Sequence, residues 1–316
     1  MKAIIIPHYG SVDVLTLATV DTPKIKANEV LLRVLAIGIN PVDAKAREGK
    51  AFAAKLQPEF PVILGKDVVG EIIEKGTAVA DFEIGDIVFG IANPTGFGKT
   101  YAQFVATPTD ALIKKPAQIS IDEAAASPVA ALTALQALTE AISLKKGQHI
   151  LIHAASGGVG HFAVQIAKHL GAHVTGTSSA ANKNYILNEL HADAHIDYQQ
   201  VNYHDYAQKF DVVLDLVGLH NIDNAILTTK PGGEVICIPS NSFQKFKEKI
   251  AHKNVNGFTH MMHADKVWLQ KLAQLLSEKT ITPHISQTFQ LEEMKEAHQQ
   301  IASGKTRGKI IVQVQE

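Results

Sequence analysis

The stretch Ala155-Ser156-Gly157-Gly158-Val159-Gly160 carries the residue types and spacing that point most directly to chemistry. Small residues and glycines that break a β-branched run and open a helix can bring main-chain N–H groups against a phosphate. A strand-to-helix turn needs conformations that a Cβ hinders, and close approach to a ligand needs residues without side chains. Gly157 and Gly158 supply the turn and the approach, Gly160 lets the helix lie close on the strand, and Ala155 stands where the usual G-x-G-x-x-G has its first glycine. The helix N-terminus adds a positive dipole end. Such a turn predicts a dinucleotide pyrophosphate as ligand, against the alternative of an ordinary strand-to-helix turn.

The residues that follow select the dinucleotide. An NAD site places an acid about 20 residues past the first glycine, on the ribose hydroxyls. Here the second strand ends Thr177-Ser178-Ser179, with no acid and with Lys183 shortly after. A carboxylate would repel the additional phosphate of NADP, whereas hydroxyls donate to it and a lysine supplies charge. NADPH is therefore the expected cofactor. Ser178 could equally cap a helix starting near Ala180, and the two roles are compatible.

The elements that must position these groups are legible on either side. His149 to His153 is a short β-branched run. Val159, Phe162, Ala163, Ile166, Ala167 and Leu170 then recur at intervals of three and four, which gives a helix one apolar face, and Gly171 ends it. His173 to Thr177 returns as a second strand, completing a βαβ unit. Further strands at Ile196, Val212 and Val235 interleave with helices near Leu187 and Ala225, so residues 122–264 predict a doubly wound parallel sheet. Residues 1–121 differ in texture. Short β-branched segments such as Glu29–Leu35, Val68–Ile73 and Asp86–Phe89, punctuated by Gly and Pro, predict a mostly antiparallel β domain. Residues 265–316, with two helices, a strand near Thr288 and a last strand Lys309–Gln313, are expected to complete that first domain and leave a cleft between the two.

Composition excludes other classes. The 316 residues are 46% hydrophobic and 19% charged, ordinary for a soluble α/β protein of two domains. A formal net charge of −1 and a pI near 7.0 leave no electrostatic footprint for nucleic acid or an anionic membrane. The segment MKAIIIPHYG has no signal-type apolar core and no apolar run approaches a membrane span, so a cytoplasmic location is expected. The single cysteine, Cys237, excludes an internal disulfide and a thiolate zinc cluster.

Gly65-Lys66-Asp67-Val68-Val69-Gly70, Gly85-Asp86, the Ala155–Gly160 turn and the closing Gly304-Lys305-Thr306-Arg307-Gly308-Lys309 occur in one order. Together they resemble the medium-chain dehydrogenase/reductase superfamily, in its zinc-free quinone oxidoreductase and enone reductase branch, over essentially the whole chain. The resemblance implies a GroES-like catalytic domain joined to a Rossmann domain, with the cofactor in the cleft, and a homodimer, here through the edge strand near Val255–Phe258. Zinc-dependent members carry Gly-His-Glu where this chain has Gly65-Lys66-Asp67. Their cysteine ligands fall at Asn40 and near Val129, and their four-cysteine lobe is missing. No metal is expected, since a protonated lysine opposes a dication. Of the 15 histidines, His149 and His153 lie along one strand, about 13 Å apart, and cannot share an ion.

Without a Lewis acid, alcohol dehydrogenation is disfavoured, whereas hydride addition to a quinone or α,β-unsaturated carbonyl delocalises the arriving charge onto an oxygen that hydrogen-bond donors can carry. Asn40, Asp43, Lys66 and Tyr101 are the expected catalytic residues. Asn40, Lys66 or Tyr101 could donate to the acceptor oxygen, and Asp43 could hold the loop. Lys66 and Asp67 could instead form an internal ion pair filling the lost metal pocket. For the cofactor, the resemblance adds Thr133 at the nicotinamide half and Tyr198 near the adenosine phosphate, with simple packing as the alternative for Tyr198. Val217, Ile238 and Pro239 sit at strand ends where ligands bind. Arg307 could reach the phosphate or, the preferred reading, face solvent. An enoyl-thioester reductase of the same fold, and a non-catalytic NADPH-binding protein of structural or RNA-associated type, are the alternative functions. The residues leave open the acceptor, one- against two-electron quinone reduction, and the oligomeric state.

Overall fold

A computed structural model describes residues 1–314, and the chain divides into two compact units, residues 1–132 with 263–316, and residues 133–262. The division falls later than the expected 121/122 boundary because the helix Ile121–Ala126 belongs with the first unit. Its alanines lie against the strands Glu29–Ile39, Asp67–Lys75 and Lys309–Gln313. That helix opens on a capping box, in which Ser120 Oγ accepts from Glu123 N and Glu123 accepts from Ser120 N.

The first unit is β-rich. Its seven-stranded sheet runs Ile285–Gln290, Lys309–Gln313, Glu29–Ile39, Asp67–Lys75, Ile87–Ile91, Leu112–Lys114, with Phe104–Pro108 also paired to Glu29–Ile39. All pairings are antiparallel except Ile285–Gln290 with Lys309–Gln313. The strands Ile285–Gln290 and Lys309–Gln313 of the tail thus belong to this sheet. Leu32, Ile37, Ile39, Val68, Ile72, Phe289, Ile310 and Val312 fill the core, and Tyr101 lies among them. The helix Pro41–Arg47 follows directly from the longest strand, with Pro41 in its first turn, where the missing N–H is no loss.

The second unit is a six-stranded, all-parallel sheet in the order Ala194–Asp197, His173–Ser178, His149–Ile152, Phe210–Asp215, Thr229–Cys237, Asn256–Thr259. In chain order this is 3-2-1-4-5-6, the doubly wound arrangement that binds dinucleotides where the strand order reverses. The expected helix near Leu187 is instead a 3-10 turn, Ala180–Asn182, and a short π turn, Tyr185–Glu189. Among the described residues, no helix is long and apolar enough to cross a membrane.

Candidate active site

In the second unit, the strand His149–Ile152 leads into the turn at Ala154, whose φ is 49°, and through the glycine turn into the helix Gly160–His169. A Cβ on Gly160 would lie 2.2 Å from the Ala154 carbonyl oxygen, and one on Gly157 3.2 Å from it. A side chain is therefore excluded at Gly160 and crowded at Gly157, which is the close packing of helix on strand that a dinucleotide-binding turn requires. The turn is fastened to the neighbouring strand, since Ala155 N donates to Thr177 O at 2.9 Å and Ala154 N to Thr177 Oγ1 at 3.2 Å. Ser156 Oγ accepts from Asn182 Nδ2 at 3.2 Å, and Gly158 and Val159 remain half-exposed at the mouth.

The second strand carries Ser178 at its end, buried, with its hydroxyl against Ser179 O at 2.9 Å and His195 Nε2 at 2.8 Å. Ser179, not Ser178, precedes the Ala180–Asn182 turn, and it makes no side-chain cap bond. Lys183 is exposed, and Tyr198 is 54% exposed just past the third strand, so its ring is not a packing group. Val217 is displayed by a turn that Asp215 holds: Asp215 Oδ1 accepts from Val217 N at 3.0 Å and Gly218 N at 3.1 Å. Ile238 and Pro239, half-buried, follow the fifth strand, and Thr133 is buried in the helix Pro128–Gln136. These groups fit a dinucleotide carrying an additional phosphate, since the cradle admits main-chain approach and no acid stands at the end of the second strand. Arg307 is half-buried in the first unit, in the loop before its last strand.

In the first unit, two of the three positions that the resemblance aligns with zinc ligands, Asn40 and Val129, meet at Asp67. Its Oδ2 accepts from Asn40 Nδ2 at 2.9 Å and its Oδ1 from Val129 N at 2.8 Å. Lys309 closes the cluster: its Nζ donates to Asn40 Oδ1 at 2.5 Å and to Ile39 O at 3.1 Å, and lies 3.6 Å from Asp67 Oδ2. All three side chains are buried. Burial pulls the Lys309 ammonium down, while Asp67 and Asp43 pull it back up. A zinc ion does not fit this donor set, because one amide, one carboxylate and an ammonium replace the convergent thiolates and imidazole. Among the described residues, no group of three or more His, Cys, Asp or Glu is placed to hold a metal ion.

The ion pair in this spot is thus Lys309 with Asp67, and not Lys66 with Asp67. Lys66 donates instead to Pro94 O at 2.7 Å and Gly96 O at 2.5 Å, with its Nζ 4.5 Å from the centre of the Phe52 ring. Neighbouring residues along an extended chain point to opposite faces, so Lys66 and Asp67 are poorly placed to pair. Burial lowers the Lys66 ammonium, with Asp43 opposing.

Asp43 and Tyr101 lie in one buried polar cluster. Asp43 Oδ2 accepts from Asn40 N at 2.9 Å, a capping contact for Pro41–Arg47, and Asp43 also meets the Tyr101 hydroxyl. That hydroxyl lies 3.1 Å from His298 Nε2, and Arg47 Nη1 lies 3.1 Å from His298 Nδ1. Arg47 has only protons to give, so Nδ1 accepts and Nε2 carries the hydrogen. The order is therefore Arg47 to His298 to Tyr101, a tautomer assigned from its partners. Burial and Arg47 push His298 down to about 3. Burial and then the Asp67 charge push Asp43 up to about 7, against the Asn40 N–H, Lys309 and Lys66. Tyr101 is fully buried with its hydroxyl against His298, which removes it from the surface an acceptor would approach. Sequence reasoning does not single out Lys309, Arg47, His298, Asp215 or His195 as site residues. A lysine opening the last apolar strand is the one available signal for Lys309.

Known proteins carry the same plan. Residues 26–117 match the alcohol dehydrogenase GroES-like domain and residues 190–312 the zinc-binding dehydrogenase family. The chain is 34% identical to a 2-methylene-furan-3-one reductase of Solanum lycopersicum, over 99% of this chain and 79% of that protein. It is 37% identical to a chloroplastic NADPH-dependent alkenal/one oxidoreductase of Arabidopsis thaliana, over 75% of this chain and 62% of that protein. The solved structure of the quinone oxidoreductase from Coxiella burnetii superposes with a TM-score of 0.95 at 36% identity, covering 100% of this chain and 99% of that one. With its cradle intact and its metal-ligand positions taken by Asn40, Lys66 and Val129, this chain belongs to the medium-chain dehydrogenase/reductase superfamily, in the zinc-independent, quinone-oxidoreductase-like branch.

Proposed function

We propose that this protein is an NADPH-dependent, zinc-independent reductase of α,β-unsaturated carbonyls and quinones. The observation that carries the reading is the Lys309–Asn40–Asp67 cluster at the lost metal position, in a chain whose other unit keeps an intact phosphate cradle. The names of its relatives support it: two are reductases of conjugated carbonyl compounds and the superposed structure is a quinone oxidoreductase. NADPH, held at Ala155–Gly160, Ser178, Ser179, Lys183 and Tyr198, would supply the hydride. The residues of the first unit then have to accommodate charge arriving on the acceptor oxygen. Lys66 gives two of its three N–H groups to the Pro94 and Gly96 carbonyls, holding that loop, and its third is the donor we assign to the oxygen. Burial makes that ammonium more acidic, which suits it to an enolate. Lys309 and Asp67 fix the Asn40 amide, and Asp43 holds its backbone.

We further propose a cytoplasmic homodimer that associates through the edge strand Asn256–Thr259, whose outer main-chain groups have no strand partner among the described residues. NADPH oxidation measured against an enone panel, a quinone panel and an enoyl thioester tests the function. Turnover with the first two supports it. Turnover with the thioester alone would reassign the substrate, and tight NADPH binding with no acceptor consumed would remove the enzyme reading.

A further inference from the structure

We infer that His195 is a positioning residue for recognition of the 2′-phosphate, acting by forcing the Ser178 hydroxyl to donate outward. The inference rests on the reading of the second unit as an NADPH site. His195 lies on the strand Ala194–Asp197, in register with Gly176, two residues before Ser178 on the neighbouring strand. Residues two apart on a strand share a face, and the imidazole reaches along the sheet to Ser178 Oγ at 2.8 Å. Ser178 occupies the strand end where an NAD site has its acid.

A serine hydroxyl has one proton. In the present arrangement it lies between Ser179 O at 2.9 Å and His195 Nε2 at 2.8 Å. With Nε2 unprotonated, the hydroxyl can spend its proton on either neighbour. With a proton on Nε2, carried by the imidazolium or by the neutral Nε2–H tautomer, the imidazole donates to Oγ, and the hydroxyl proton is left for Ser179 O or for a phosphate oxygen within its reach; only the imidazolium holds that direction fixed, since the neutral ring can shift its proton to Nδ1. The charged groups facing His195 are Asp197 on its own strand and Lys183 beyond the second. Burial is the largest influence on the ring and disfavours its protonation, as does Lys183, while Asp197 favours it. Burial and Lys183 thus favour the neutral ring in the free protein, and a phosphate dianion arriving beside Ser178 and Lys183 would favour the imidazolium. Binding of NADPH, and not of NADH, is coupled to proton uptake.

The experiment compares wild type with His195→Gln and His195→Val. Calorimetry gives dissociation constants for NADPH, NADH and 2′,5′-ADP from pH 6.5 to 8.5, and proton uptake from buffers of different ionisation enthalpy. In wild type, the preference for NADPH over NADH should grow about threefold or more as the pH falls, with a fraction of a proton taken up beyond that seen in either variant. Glutamine keeps an N–H for Ser178 but cannot titrate, so His195→Gln should hold a strong NADPH preference whose pH dependence is only that of the phosphate. His195→Val should lose on the order of tenfold in NADPH affinity with NADH affinity unchanged. Identical pH profiles and proton uptake in wild type and both variants would overturn the inference while leaving the cofactor reading intact. A wild type that binds NADPH no better than NADH would instead overturn the cofactor reading beneath it.

Discussion

Lys309→Met is the perturbation that most sharply tests the replacement of a metal by an internal cation. The substitution keeps side-chain volume and removes the charge 3.6 Å from Asp67 Oδ2, in a spot where both side chains are at most 3% exposed. Deleting one partner of a buried ion pair costs about 3–5 kcal/mol, because the other charge is left uncompensated. Asp67 keeps the Asn40 Nδ2 and Val129 N donors, so the lower end, about 3 kcal/mol, is expected. For a unit of this size that is about 6–12 °C in melting temperature. Burial already raises Asp67, and losing Lys309 raises it further. The penalty should therefore shrink as the pH falls and Asp67 takes up a proton. Adding Asp67→Asn should recover part of the loss, with a coupling of about 2 kcal/mol in the double-mutant cycle. Urea denaturation at pH 8 and pH 5 measures all of this. A Lys309→Met protein within about 0.5 kcal/mol of wild type at pH 8 would refute the reasoning, since that is the range of an inconsequential surface change.

Other outcomes follow from the same geometry. Ser178→Asp should lower kcat/KM for NADPH by about tenfold or more and leave or raise that for NADH, because it restores the acid that repels the 2′-phosphate; an unchanged NADPH preference in steady-state kinetics would contradict this. Asp43 has a folded-state value of about 7 against an ordinary value of 3.8, so between these limits the folded protein binds a proton that the unfolded chain does not. Its contribution makes stability fall as the pH rises through that window, by up to about 1.4 kcal/mol per pH unit, and Asp43→Asn should flatten the slope measured by denaturation across pH 4–8. Tyr101→Phe leaves the His298 N–H without its hydroxyl acceptor, at a cost of about 1–3 kcal/mol, with NADPH affinity unchanged by calorimetry.

The nucleotide-binding half is the more legible in sequence, because its requirements are local. Glycine at 160 is demanded by a carbonyl six residues earlier, and the helix face repeats within a few turns. The acid-free strand end at Ser178 needs only the position of the turn to be found. The other site is assembled across the chain. Lys309 reaches Asn40 from 269 residues away, and Arg47 meets His298 across 251. Periodicity carries no record of such pairings, so the lysine next to Asp67 in sequence is an open candidate for a partner that proves to be the lysine of another strand. His195 escapes notice for a related reason, since the register that sets it beside Ser178 depends on how two strands align. The helix expected near Leu187 fails to form as a regular element because Tyr185, Ile186 and Leu190 bury themselves at a spacing that a π turn serves.

Hydride has to reach a conjugated acceptor here with no metal to polarise it. The zinc content of a preparation that is oxidising NADPH with an enone, determined by elemental mass spectrometry before and after chelation, tests this most directly. Turnover that survives the chelator, with zinc far below one ion per chain, is the predicted result. Zinc near one ion per chain, with activity lost on its removal, would contradict the assignment of Lys309, Asn40 and Asp67 to the metal's place.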